Sequence, residues 1–341
     1  MRTPRSPIVQ TRPFVAAIGS ISLAILALAG PAAAVSPAVP ADDAARVLAS
    51  IRVGGQPSDI EMNATGTRAY VTSYGLDSLV VINTTTNKVL STIPVAGNPA
   101  GVALQPGGRF AYVTSWDEDL VVVVDLKTKA IVKEIAVGVS PYDVVISPNG
   151  KRAYTANSGG RGSISVIDTT SRRVLATPTV AGEPVDLAVS PDGKRLYVAN
   201  MERNTVSILN TSSNAIVGTI RVGRTPDNLA LSPDGTRLYV TSDDSDMVVV
   251  VDTATRGVVA TINFDDGPED VAVSPDGRYV YVGTNGVGVV DAATNTLIAT
   301  IPVGGQSIYY LAASPVGNRV YATAARQWAY AVDVVGVTAA P

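Results

Sequence analysis

Four aspartates recur in this sequence at near-constant spacing: Asp59, Asp143, Asp186 and Asp270. Each stands two residues after a proline (Pro57, Pro141, Pro184, Pro268), and the same position holds Gly101, Asn228 and Tyr310 in three further copies. Carboxylates that converge on one axis bind a cation through oxygen, or a basic group. The competing role is structural, each Asp capping a neighbouring backbone N–H copy by copy. Other chemistry is limited by composition. The chain of 341 residues has no histidine and no cysteine. A Ser-His-Asp triad, thiolate chemistry, Cys-based zinc sites and His-ligated copper or haem are therefore excluded. Acid–base work would fall to Asp, Glu, Lys or Tyr. A metal would be calcium or magnesium held by oxygen.

A frame must bring these residues together, and internal repetition supplies it. A Tyr opens a strand-like segment at Tyr70, Tyr112, Tyr154, Tyr197, Tyr239, Tyr281 and Tyr321, at intervals of 42, 42, 43, 42, 42 and 40 residues. Thirteen residues before each of the first six stands a proline; the seventh equivalent is Ile308. Each copy holds four runs with β-branched enrichment and alternation. In the fourth copy these are 185–189, 195–199, 205–209 and 215–222, with Ser190-Pro191-Asp192-Gly193 as a tight turn. No window supports a long helix. Four strands repeated seven times predict an all-β fold, a seven-bladed β-propeller with four-stranded antiparallel blades. The chain opens on a strand matching the fourth of a copy (46–53) and ends after one matching the third (330–333). The strand count closes only if the N-terminal strand completes the last blade, which also protects both sheet edges.

The N-terminal segment 1–34 reads as a secretory signal: Arg2, Arg5 and Arg12, an apolar run from about Phe14 to Ala29, then Ala32-Ala33-Ala34. The run is short for a membrane span. Cleavage near Ala34 removes three arginines and no acid, taking the net charge from −3 to −6. The expected organisation is signal 1–34, flexible leader 35–43, propeller 44–337 and tail 338–341. The mature chain is expected to be monomeric, without a transmembrane segment, and secreted, periplasmic or at the cell envelope.

The blades carry Tyr70-Val-Thr-Ser, Tyr112-Val-Thr-Ser, Tyr154-Thr-Ala-Asn, Tyr197-Val-Ala-Asn and Tyr239-Val-Thr-Ser, with Ser-Pro-Asp-Gly at 190, 232 and 274. This resembles the YVTN-type β-propeller repeat family, the YncE-like group of exported bacterial propellers, across all seven blades. The Gly-His and Trp-Asp marks of WD40 blades are absent. The resemblance implies the fold and an exported setting. It does not select a function, because similar propellers include envelope proteins, lactonases, lyases, cofactor-bearing oxidoreductases and a DNA-binding branch.

In such a propeller the d-to-a and b-to-c loops share one face. The position of Asp59, Asp143, Asp186, Asn228 and Asp270 starts the innermost strand, at the mouth of the central channel. Departures from the repeat mark a further candidate surface. Blade 7 has Ile308-Tyr309-Tyr310 in place of Pro-x-Asp, and Arg326-Gln327-Trp328 in its b-to-c loop. Blade 2 has Trp116-Asp117-Glu118-Asp119 in that loop. Blade 5 has Asp243-Asp244-Ser245-Asp246, which lacks the Gly and distant Glu of a calcium loop and reads as a solvated acidic turn. Glu61 stands where other blades have Ala or Val145, as a carboxylate near the channel or a packing response to blade 7.

The expected function is a non-catalytic binding platform for a protein, glycan or small ligand. No cofactor is expected beyond a divalent cation such as calcium at the channel mouth. The alternatives are a carboxylate- or divalent-metal-dependent hydrolase or lactonase, and a DNA-binding propeller. The negative net charge disfavours nucleic acid.

Overall fold

The computed structural model describes residues 45–95, 97–304, 307–326 and 329–337, with side chains except at 325, 326 and 329. The predicted signal, leader and tail lie outside the described residues. The strands form seven four-stranded sheets. In six of them four consecutive strands, a to d from the axis outward, pair as antiparallel neighbours. Blade 2 is representative: Pro99–Leu104, Phe110–Ser115, Leu120–Asp125 and Ala130–Ala136. The seven-bladed propeller is thus borne out. Strand limits differ from the sequence reading by about one residue at most ends, and the last strand runs longer, Ala329–Val337. No α-helix occurs among the described residues, only single 3-10 turns at Met201–Arg203 and Asp243–Ser245.

The seventh sheet joins the two ends of the chain. Ile308–Ala313, Arg319–Arg326 and Ala329–Val337 supply its first three strands, and Ala45–Arg52 is the fourth. Ile51 lies opposite Val332 and Arg52 opposite Ala331. The ring closes as the strand count required.

Sequence pattern explains the layering. Strand c is apolar on both sides, as in Val121-Val122-Val123-Val124, because both faces of a blade are covered by its neighbours. Strand d is the outer edge and is largely exposed. It is bulged at the same place in every blade. The residue skipped by the pairing is Leu48, Leu90, Val132, Leu175, Val217, Val259 or Ile298. Such bulges twist an open edge away from pairing with another chain.

The recurring tyrosine explains the seams. The seven apolar clusters lie between adjacent blades, and each contains one of these tyrosines. A ring fills the gap between blades while its hydroxyl can reach across. Tyr112 donates to the Thr169 carbonyl of blade 3 at 3.3 Å, and Tyr321 of blade 7 to the Thr84 carbonyl of blade 1 at 3.5 Å.

Candidate functional site at the channel mouth

Strand a of most blades starts at the recurring proline, whose missing N–H suits a strand start. The pairing then slips, between Pro141 and Val144 for example. The slip frees a backbone N–H at the next position of the pattern. The threonine of the Tyr-x-Thr segment accepts it: Gly101 N–H to Thr114 Oγ1 at 2.7 Å, Asn228 to Thr241 at 2.8 Å, Tyr310 to Thr323 at 2.9 Å. The Tyr-Val-Thr-Ser run therefore combines a seam filler with a cap for the inner strand.

With the strand bent there, the aspartate carboxylates run along the ring, each accepting an N–H from strand a of the next blade. Val102 donates to Asp59 at 2.7 Å, Leu187 to Asp143 at 3.0 Å and Leu229 to Asp186 at 2.6 Å; Leu311 donates to Asp270. Asn228 makes the same step with reversed polarity, its amide donating to the Glu269 carbonyl at 2.8 Å. Gly101 has no side chain because none fits. A Cβ there would lie 2.9 Å from both Asp143 Cα and the Tyr142 carbonyl. Tyr310 instead crosses the channel, and its hydroxyl meets that of Tyr142 at 3.1 Å.

These groups line a cavity of about 370 Å³ that follows the inner strands from Asp59 to Pro106 and Pro148. Its walls hold Asp59, Glu61, Asp143, Asp186 and Asp270 and no Lys or Arg. Burial with like-charged neighbours disfavours ionisation. Asp59 is pushed up to about 7, by desolvation and then by Asp143. Glu61 rises to about 8, by desolvation and then by Asp59 and Asp143. Desolvation carries Asp143 to about 6 and, with the neighbouring Asp143 and Asp270 charges, holds Asp186 well above the carboxylate range. Asp270 is likewise well above its usual value, chiefly by desolvation.

Two residues missed by the sequence reading join the mouth. Desolvation raises Asp227 to about 8 and Glu269 to about 7, and both act on the Tyr142 hydroxyl. They occupy the variable position between the proline and the ring residue, also held by Tyr142 and Tyr309. Variation there was the available signal.

Of the predicted residues, Asp59, Asp143, Asp186, Asn228, Asp270 and Tyr310 come together around the cavity. Tyr309 is half-buried beside them, with its hydroxyl raised by desolvation and by Glu269. Trp116 is half-buried at the start of the b-to-c loop of blade 2, its backbone N–H donating to the Asn98 carbonyl at 3.2 Å. The side chains of Arg326 and Trp328 lie outside the described residues. Asp119 is committed to the framework, accepting the Ser140 N–H at 2.7 Å. In the blade 5 turn, Asp244 faces Arg224 at 3.6 Å and accepts from Thr225 Oγ1 at 2.8 Å. Among the described residues no three acidic groups lie close enough together to hold a metal ion, and no helix is long and apolar enough to cross a membrane.

A family model described as YNCE-like beta-propeller matches residues 104–297. No curated protein matches the chain in sequence. Among solved structures, Kuenenia stuttgartiensis hydrazine synthase is similar over 84% of this chain and 96% of its own, at 26% identity and a TM-score of 0.74. The Myceliophteria thermophila Cps50 (Swd1) β-propeller domain is similar over 86% of this chain and all of its own, with the same TM-score at 14% identity, and shares the fold alone.

Proposed function

The chain belongs to the YncE-like β-propeller family, and from that premise we propose that it is an exported, non-catalytic binding platform of the cell envelope or exterior. It presents the face where the channel opens. The observation that carries this reading is the channel lining, an open cavity walled by five carboxylates and no basic residue. Such a wall gives up its bound protons beside a cationic ligand or the basic segment of a partner and then holds that charge. The half-buried Trp116, beside exposed Asp117 and Glu118, offers an aromatic anchor with an acidic border on the same face. Several mouth carboxylates are already engaged as blade-to-blade acceptors, which suits recognition better than turnover. The signal segment, the leader and the propeller limits 44–337 belong to this proposal.

The test pairs localisation with binding. Mass spectrometry of the exported protein is expected to find an N-terminus near Val35. Immobilised protein is expected to enrich a partner or ligand from the envelope fraction, and Trp116→Ala with Asp117→Asn to lose it. Hydrolysis of lactones that requires added calcium would replace this reading with the hydrolase, and retardation of DNA at low salt would replace it with the DNA-binding propeller. Enrichment unchanged by the double substitution would remove this face from the proposal.

A further inference from the structure

One carboxylate in the channel breaks the sevenfold pattern. Glu61 pairs in register with the seam tyrosine Tyr70. The equivalent partners of the other six tyrosines are Ala103, Val145, Ala188, Ala230, Ala272 and Ala312. The channel is therefore polar at the ring of Asp59, Asp143, Asp186 and Asp270 and apolar one layer further in, except at Glu61. Two residue steps along the strand separate the layers, about 7 Å.

Glu61 also differs from the ring in its partners. The ring aspartates accept backbone N–H groups from the next blade. Among the described residues Glu61 has no hydrogen-bond or ion-pair partner, although it is only partly exposed and lines the cavity. A carboxyl group drawn partly out of water with no protein partner costs free energy that alanine, the residue of five other blades, would avoid. A proton offsets this cost in the empty channel, and a ligand cation would offset it with the carboxylate ionised.

Which cation follows from spacing. No three acidic groups converge closely enough for a single metal ion among the described residues. The carboxyl groups lie instead in two layers, with apolar wall such as Ala103 and Val145 beside Glu61. The Tyr142 and Tyr310 hydroxyls stand at the upper layer. A linear molecule with ammonium groups at its ends and a methylene chain between them matches charge, spacing and apolar wall together.

We infer that the channel binds an alkyl diamine or polyamine, one ammonium at Glu61 and another at the aspartate ring. This rests on reading the channel as a ligand site, and goes beyond it by naming the ligand class and the residue that selects it.

The experiment is titration calorimetry of the exported protein with putrescine, spermidine, calcium chloride and butanediol, the uncharged counterpart of putrescine. Saturable binding of one diamine per chain is expected, with no heat from butanediol. Glu61→Gln is expected to weaken it at least about tenfold, the loss of one charge-assisted contact. Glu61→Ala carries the residue that other blades tolerate, so it guards against a variant that fails to fold, and it should behave alike. Three results would overturn the inference: no diamine binding, wild-type affinity in both Glu61 variants, or calcium binding while diamines stay silent. Failure here leaves partner enrichment through Trp116 intact, and failure there leaves diamine binding intact, so the two readings fall separately.

Discussion

Aspartate plays the same local part at the two ends of the inner strand, with opposite electrostatic outcomes. At the a-to-b turns, Asp192, Asp234 and Asp276 each accept a serine hydroxyl at 2.6 Å and a backbone N–H at 2.9 to 3.0 Å. Their pKa values are lowered, first by that serine. At the channel mouth, Asp59 and Asp270 each accept two backbone N–H groups, and their pKa values rise. Hydrogen-bond number does not separate the two sets. Water does: the turn carboxylates are solvated, whereas the channel carboxylates are drawn together inside one shared cavity. A donor lowers a pKa only when it outweighs desolvation.

The largest effect is expected from filling the gap at Gly101. Gly101→Asp adds a side chain where a Cβ would lie 2.9 Å from two backbone atoms, and a further carboxyl group beside those of the cavity. A loss of about 3 kcal/mol or more is expected in a denaturant midpoint. An unchanged midpoint would mean that the mouth is neither crowded nor dry. Next comes truncation at each end. Asp270→Ala strands the buried Leu311 N–H and should cost about 1–3 kcal/mol. Asp192→Ala on the exposed turn should stay within about 0.5 kcal/mol. Equal losses would erase the distinction.

The pH dependence has a definite sign. A carboxylate whose folded pKa is raised keeps a proton that the unfolded chain releases, so its stabilisation is complete below the unfolded value and is lost as pH climbs through the folded one. With folded values of about 6 to about 8 at Asp143, Asp59, Asp227 and Glu61, the thermal midpoint should fall between about pH 5 and pH 8.5. The fall should be at least about 2–4 °C, and Glu61→Gln should shallow its upper part. A midpoint that stays flat or rises over that range would mean that the channel carboxylates ionise as freely as solvated ones, because the lowered turn aspartates complete their own contribution below about pH 4. The smallest effect is expected from Tyr142→Phe, which removes one hydroxyl contact across the channel and should cost about 0.5–1 kcal/mol.

Much of the fold was legible because each blade repeats the physics of the last. Tyr every forty-odd residues marked the seams, and a final strand missing from blade 7 announced ring closure. The ring residues were legible as positions. Their direction was not, because the slip that aims Asp59 at Val102 of the next blade is a pairing irregularity without a sequence mark of its own. Gly101 appeared as a gap in the ring. Only the closeness of Asp143 and Tyr142 explains why the gap is obligatory. The Tyr142–Tyr310 contact joins blades 3 and 7, and no periodicity within a chain of repeats points across a circle. Glu61 was visible as an exception, but its want of a partner depends on everything around it.

The shared blade has a kinetic consequence. Six blades are built from strands that follow one another along the chain, so they can pair as soon as they are made. The strand Ala45–Arg52 is made first, yet its partner Ala329–Val337 is made last. Joining them closes a loop of nearly the whole chain, the slowest and entropically least favourable contact in the molecule. Until then an early apolar strand has no mate and blade 7 has no outer edge. Folding of this ring should end where the chain begins.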